Sequence, residues 1–282
     1  MIAEFLSSWS LFANSYLAGW LLAALLPILG VMVVARDQIF VGAAVSQASM
    51  LGIAVGLHLG SSSLFAGAAW SESDSFLSLT AGAFAVLAAI ASTRWATRTL
   101  SPESVTGWIF LLGGSAAVLL LTHSPHGMEQ IHRLLASTII GAQQLDVIVL
   151  TVLLAATATA LWRWHGTFLV LAIDPGLAPA LGIPRGAWTL AIASWLGLVV
   201  GLSNRVAGVA FTFGVLLLPA LVARTVCREV KTMFLVAPVV GLATSVIAFV
   251  LAHGLDFPPG QMTTGLLCML LPVAWAARRL RP

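Results

Sequence analysis

Apolar side chains fill nine long stretches of this chain, and short polar segments separate them. A helix needs about 20 apolar residues to cross a bilayer, and the stretches reach or approach that length. The pattern therefore predicts an all-α polytopic integral membrane protein with about nine transmembrane helices, eight being possible. The stretches cover roughly residues 14–35, 38–60, 76–93, 105–122, 145–162, 187–203, 205–226, 233–254 and 262–277.

The basic residues predict an orientation for these helices. If the loops alternate sides and the N-terminus lies outside, eleven of the thirteen Lys and Arg residues fall inside. Only Arg133 and Arg205 then fall outside, as the positive-inside rule requires. We therefore expect the N-terminus outside and the C-terminus inside. The loops expected inside cover 94–104, 163–186 and 227–232, and those expected outside cover 61–75 and 123–143.

The composition excludes several classes of protein. Hydrophobic residues make up 60% of the chain and charged residues 8%, whereas a soluble domain is nearer a quarter charged. No polar stretch is long enough for a separate soluble domain, so residues 1–282 are expected to form a single membrane domain. The basic residues determine topology, and no nucleic-acid partner is expected. Since the chain has no G-x-x-x-x-G-K-[ST] loop, it is not expected to hydrolyse nucleotide by itself.

Small residues recur every four positions in the second apolar stretch. Residues with this spacing share one face of a helix, and a stripe of small side chains lets another backbone approach closely. The stripe fits a tightly packed central helix in a transport core, and it also fits ordinary helix packing. Its members are Ala44, Ala48, Gly52, Gly56 and Gly60.

The same stretch carries three polar residues within four positions, Ser46, Gln47 and Ser49. A polar amide such as that of Gln47 must face protein or water inside a membrane. These residues either line a pathway or hold two helices together. Their clustering favours the pathway.

A polar segment at 123–146 contains His123, His126 and His132 together with carboxylates. Imidazole and carboxylate groups suit divalent transition metals. No two of these histidines have an i, i+4 spacing, so a plain polar extracellular loop is favoured over metal ligation.

A loop at 172–184 predicts a short helix on the cytoplasmic side. Asp174 suits an N-cap and Pro175 the first helical position, while Gly182 and Pro184 suit the end of the helix. Such a helix would fit a groove on a partner protein, although a plain surface helix is the alternative. One face would present Leu177, Ala178 and Leu181.

This loop, D-P-x-x-A-x-x-L-G-[IL]-P, resembles one in the membrane subunits of the metal-type ABC importers, the zinc, manganese and iron class. Residues 36–56 resemble the second-span motif of that family, and residues 206–224 resemble its V-V-G-x-x-x-…-L-L-x-P-A-x-x-A-R stretch. The three motifs occur in the expected order. The resemblance covers about residues 14–277.

The resemblance implies a multi-pass permease of the plasma (inner) membrane with no chemistry of its own. In the family, two permease subunits form the pathway, a pair of cytoplasmic ATPases grips their coupling helices, and an extracytoplasmic binding protein delivers the metal. No cofactor would be bound by this chain, and ATP would be used by a partner. At the matching positions of this sequence, the resemblance implies that the coupling residues are Asp174, Pro175, Leu177, Ala178, Leu181 and Gly182.

The chain departs from the family at two positions of the second span. The family pattern G-D-x-x-S-H-A is thought to serve the metal path, but here Ala43 replaces the Asp and Gln47 replaces the His. A neutral amide is a poor ligand for zinc. Pro179 also departs, because it lacks a backbone donor and is expected to kink the coupling helix. The residues expected to line the pathway are Ala43, Ser46, Gln47 and Ser49.

Three hypotheses follow. The first is a permease that imports divalent metal ions (zinc, manganese or iron) or a metal–chelator complex, as a homodimer or a heterodimer. The second is the non-liganding half of a heterodimer whose other subunit supplies the Asp and the His. The third is an ion-coupled secondary transporter, which is disfavoured because no acidic residue lies deep in a predicted span.

Overall fold

A computed structural model of the chain describes residues 9–61, 74–95, 101–122, 139 and 141–279. Nearly all of these residues are helical, and none of them forms a strand. A 3₁₀ turn covers Pro179–Leu181. The helices are α1 (Trp9–Ala35), α2 (Ile39–Ser61), α3 (Asp74–Arg94), α4 (Pro102–Thr122), α5 (Gln144–Arg163), α6 (His165–Ile173), α7 (Arg185–Val226), α8 (Val230–Leu255) and α9 (Pro259–Arg279).

Eight helices of the described chain are long and apolar enough to cross a membrane. The exception is α6, which has only 9 residues. The prediction of an all-α multi-pass membrane protein is therefore confirmed. One helix, α7, has 42 residues. A straight helix of that length would extend about 63 Å, roughly twice the hydrocarbon core of a bilayer.

Gly208 interrupts α7. Its dihedral angles, φ 76° and ψ 167°, are not helical and lie in a region that is essentially restricted to glycine. The break leaves residues 185–207 and 209–226, each of about the length that crosses a bilayer. It falls near the boundary predicted between the sixth and seventh apolar stretches, and so explains why both eight and nine spans fit the pattern.

The described helices group into two compact units that are discontinuous in sequence. The first unit comprises Met1–Asp37, Ala136–Arg185 and Ala210–Pro282, and the second comprises Gln38–Leu135 and Gly186–Val209. The first unit therefore holds α1, α5, α6, α8, α9 and the second half of α7. The second unit holds α2, α3, α4 and the first half of α7.

Small residues let helices of the first unit pack closely. A Cβ atom at Gly30 of α1 would collide with the backbone carbonyl of Leu216. A Cβ atom at Gly241 of α8 would lie 2.9 Å from Pro27 and 3.4 Å from Pro219. Buried aliphatic side chains continue this contact in a cluster made of Val31, Val34, Ala220, Ala223, Met233 and Ala237.

In the second unit, α2 packs against both α3 and α4. A Cβ atom at Gly52 would collide with the carbonyl of Thr80 on α3, and one at Gly56 would come within 2.6 Å of the Thr80 hydroxyl. On α4, a Cβ atom at Gly113 would lie 2.8 Å from the backbone of Gln47. Backbones approach this closely only where side chains are small.

The first half of α7 packs on α3 in the same manner. A Cβ atom at Gly197 would lie 2.6 Å from the Cα atom of Val86, and one at Gly201 would lie 2.7 Å from the Cα atom of Gly82. These contacts fix the position of the first half of α7 along α3.

The described residues form an ion pair in each unit. In the second unit Arg205 lies 3.7 Å from Asp74, at the start of α3. In the first unit the Arg224 guanidinium bonds to the carboxylate of Asp37 and donates to the Val34 carbonyl at 2.9 Å. The charge pattern places Arg205 with Asp74 outside and Arg224 with Asp37 inside, so both pairs join residues that are expected on the same side.

Candidate transport pathway and coupling segment

The polar residues of α2 lie mostly inside the second unit. Ser46 and Ser49 are completely buried and Ala43 is nearly so, whereas Gln47 is partly exposed. The Ser49 hydroxyl donates to the backbone carbonyl of Gly201 on α7 at 3.4 Å. Ser49 therefore contributes to helix packing as well as to the polar character of α2.

A polar residue of α7 joins this group, and sequence reasoning missed it. The buried side-chain amide of Asn204 donates to the backbone carbonyl of Ser46 at 3.0 Å. Asn204 lies at the predicted boundary between two apolar stretches. The signal that could have revealed it is an uncharged amide flanked by long apolar runs, because such a group needs a protein or water partner.

Two buried oxygen atoms at this contact lack partners. The Ser46 hydroxyl and the Asn204 side-chain carbonyl form no hydrogen bond within the described part of the chain. An unsatisfied buried polar group costs about 1–3 kcal/mol, and water or a polar cargo would remove that cost. Thr212 and Ser245 of the first unit also carry unpartnered buried hydroxyls, so polar oxygen atoms are available inside both units.

The Gln47 side chain lies at the contact between α2 and α4. A Cβ atom at Gly114 would come within 3.1 Å of its Oε1 atom, so the pair Gly113 and Gly114 makes room for this residue. Gln47 thus fits both alternatives given above, helix packing and lining of a pathway. It packs against a helix, and its partial exposure leaves it accessible.

The described residues contain no metal-binding cluster of the usual kind. No group of three or more His, Cys, Asp or Glu side chains among them could hold a metal ion. The candidate ligands His123, His126 and His132 lie outside the described residues. In α2, Ala43 and Gln47 supply neither a carboxylate nor an imidazole. The polar side chains named at this contact, those of Ser46, Gln47, Ser49 and Asn204, are uncharged.

The predicted coupling segment, 174–184, begins directly after α6. The Asp174 carboxylate accepts the backbone N–H of Gly176 at 2.8 Å, and its carbonyl accepts the N–H of Leu177 at 3.2 Å. An Asp that accepts a nearby backbone N–H stabilises a tight turn. The chain therefore turns sharply at Asp174 and Pro175, at the expected start of the segment.

The segment ends in a glycine motif. Gly182 has left-handed dihedral angles, φ 72° and ψ 13°. The Ile183 N–H donates to Ala178 at 2.9 Å and the Gly182 N–H donates to Pro179 at 3.0 Å, which is the Schellman pattern. The segment is a turn and a short 3₁₀ helix rather than a full α-helix. Pro179 stands at the first 3₁₀ position, where its missing N–H costs least.

The exposed surface of this segment differs in one residue from the expected one. Leu177 and Leu181 are 54% and 62% exposed, and Ile173 is 68% exposed just before the segment. Ala178 is completely buried instead. The large apolar side chains exposed in and just before the segment are therefore those of Ile173, Leu177 and Leu181.

Comparison with known proteins extends these observations to the whole chain. Residues 8–277 match the model of the ABC 3 transport family. The chain is 23% identical over 259 residues to a Thermotoga maritima protein named "Probable metal transport system membrane protein", an alignment that covers 91% of this chain and 86% of that protein.

Solved structures share the fold. PsaBC from Streptococcus pneumoniae, in complex with Fab, superposes with a TM-score of 0.81 at 19% identity, covering 98% of this chain and 95% of that chain. An inward-facing ABC transporter assigned to the metal-chelate type gives a TM-score of 0.74 at 15% identity, covering 94% and 85%. With a family match over residues 8–277, the chain belongs to the ABC 3 transport family, and the eight long apolar helices described in it make it a multi-pass membrane protein.

Proposed function

We propose that this chain is the permease subunit of an importer that is driven by separate cytoplasmic ATPase subunits. The observation that carries the proposal is the segment 174–184, which begins with a turn at Asp174, ends in the Gly182 motif and exposes Leu177 and Leu181. Exposed leucines one helical turn apart match the anchors that a partner groove accepts. A second permease subunit, either a copy or a paralogue, and an extracytoplasmic binding protein complete the proposed importer.

The proposed cargo is a divalent metal, either as zinc, manganese or iron or as a complex with a small chelator. The oxygen atoms near Ser46 and Asn204 are neutral, and zinc sites are built from imidazole, thiolate or carboxylate ligands. Neutral groups would hold a bare ion only weakly. They suit a cargo that carries its own ligands or its own hydration shell.

A charge placed in the coupling segment tests the proposed docking. Leu181→Asp would bring an unpaired charge into an apolar interface, which costs several kcal/mol. We expect loss of the ATPase subunit on co-purification and loss of transport-linked ATP hydrolysis, with normal insertion of the permease.

Leu255→Asp is the matched control, since Leu255 is similarly exposed, at 51%, but lies at the predicted extracytoplasmic end of α8. It should leave ATPase association unchanged. Normal association in the Leu181→Asp variant would refute the coupling assignment.

The heterodimer remains a second candidate because Ala43 and Gln47 lack the family's ligands. An adjacent gene for a paralogue that carries the Asp and the His would favour it. An ion-coupled transporter is disfavoured, because the acidic side chains of the described residues all lie in loops or in the first turn of a helix and not deep within a span. These residues are Asp37, Asp74, Glu103, Asp146, Asp174, Glu229 and Asp256.

A further inference from the structure

A cavity of about 840 Å³ opens in the first unit where several helices begin or end. Three arginines, Arg224, Arg228 and Arg278, line it together with one carboxylate, that of Glu229. Buried apolar residues, including Met233, also line it. The cavity therefore combines a basic wall with an apolar one.

The positive charge of this wall is only partly balanced. Arg224 bonds to the carboxylate of Asp37. Arg228 and Arg278 are exposed, and neither forms an ion pair with another residue in the described ranges. Among the described residues of the wall, Glu229 alone carries a carboxylate, so these residues leave an excess of positive charge that an anion would neutralise.

The position of the cavity indicates which anion. It lies at the ends of α1, α7 and α9 and at the start of α8, on the side where the charge pattern places the cytoplasm. The adjoining helices expose large apolar side chains, which suit contact with acyl chains. These side chains are Leu235 and Val239 on α8 and Met269 and Val273 on α9.

We propose that this cavity binds the phosphate-bearing headgroup of an anionic phospholipid. Arginine matches phosphate because its planar guanidinium can donate two parallel hydrogen bonds. Basic pockets between membrane helices on the cytoplasmic side recognise such headgroups. The start of α8 adds to the attraction, since its N-cap residue Glu229 supplies no side-chain cap. The site goes beyond transport and does not depend on the proposed cargo.

Native mass spectrometry of the full-length permease in detergent tests this site. The probes are phosphatidylglycerol, phosphatidylcholine and, separately, inorganic phosphate. The double variant Arg228→Gln/Arg278→Gln removes the two arginines that lack a carboxylate partner. We expect it to weaken phosphatidylglycerol binding about thirtyfold, as two lost contacts to an anionic lipid imply. Phosphatidylcholine binding should be weak and unchanged.

The double variant Lys231→Gln/Arg279→Gln is the matched control. It removes the same net charge from the same helix ends, but neither residue lines the cavity. It should change phosphatidylglycerol binding by less than about threefold. Equal losses in the two double variants would reduce the effect to general surface charge and overturn the site.

Two further outcomes would also overturn the proposal. Inorganic phosphate that displaces phosphatidylglycerol at similar concentrations would identify a free-anion site instead. Loss of ATPase association in the Arg228→Gln/Arg278→Gln variant, with lipid binding intact, would identify a docking surface for the partner, because Ala172 and Ile173 of the cavity directly precede the coupling segment. A charge-retaining variant, Arg228→Lys/Arg278→Lys, should bind phosphatidylglycerol more tightly than the glutamine variant and less tightly than the original protein, because lysine keeps the charge and loses the paired hydrogen bonds.

Discussion

The side-chain amide of Asn204 on α7 is hydrogen bonded to the backbone carbonyl of Ser46 on α2, at 3.0 Å. The bond joins two buried residues that both retain an unpartnered oxygen atom. It therefore fixes α7 against α2 next to Gln47 and leaves polar atoms available there. Stability and transport should both depend on this contact.

Replacement of Asn204 by alanine should separate these two effects. Asn204→Ala removes the bond to Ser46 and is expected to lower the free energy of unfolding by about 1 kcal/mol. Transport should fall further, because a polar group near Gln47 is lost. Thermal unfolding in detergent and metal uptake measure the two effects. Ser203→Ala is the control, since the Ser203 hydroxyl bonds only to Val199 of its own helix. Equal behaviour of the two variants would deny Asn204 a special role.

Gly208 should be intolerant of any side chain. Its dihedral angles, φ 76° and ψ 167°, are strained for other residues at a cost of about 1–3 kcal/mol. Gly208→Ala should therefore reduce the yield of folded protein and the unfolding temperature. Gly107→Ala offers the comparison, because a Cβ atom there meets nothing within 4 Å and the site is helical. It should be neutral or slightly stabilising. A fully stable Gly208→Ala protein would show that α7 has no such break.

The substituted positions of α2 predict weak metal retention. Gln47→Ala should reduce transport modestly and leave metal preference unchanged, because an amide is a poor ligand. The double change Ala43→Asp/Gln47→His places a carboxylate and an imidazole one turn apart on α2 and should strengthen retention of zinc or manganese. Metal titration of the purified proteins measures both. Abolition of high-affinity binding by Gln47→Ala alone would make Gln47 a true ligand.

The predicted orientation can be tested at two exposed positions. In a background with Cys227 and Cys268 replaced by serine, Ser75→Cys at the start of α3 should react with an impermeant maleimide only from outside. Thr232→Cys at the start of α8 should react only from inside. Both residues are exposed, so access and not burial decides the labelling. The reverse pattern at both positions would invert the topology that the basic residues predict.

Hydropathy and charge were sufficient to predict the spanning helices, because the bilayer imposes a length and an apolar composition on each of them. The left-handed residue at Gly182 was also predictable, since the glycine follows a helix signal and precedes a proline. Both features are determined by the local sequence.

Other features depend on contacts that the local sequence does not encode. The bond from Asn204 to Ser46 joins residues 158 positions apart, and neither residue shows its partner by spacing. Ala178 is buried, whereas helical spacing alone predicted an exposed position on the same face as Leu177 and Leu181. The exact break in α7 at Gly208 depends on backbone angles, whereas the polar residues just before it shifted the predicted boundary.

The discontinuous units impose an order on biogenesis. The helix that completes the second unit, within Gly186–Val209, is made long after α2, α3 and α4. At about 5–20 residues per second, the ribosome needs on the order of 10–30 s to add the 158 residues between Ser46 and Asn204. During that interval α2 resides in the membrane without the hydrogen bond from Asn204 to Ser46, and it would be a natural client for insertases or membrane proteases. Slow synthesis or truncation before Asn204 should therefore expose this chain to degradation even though its early spans are already inserted.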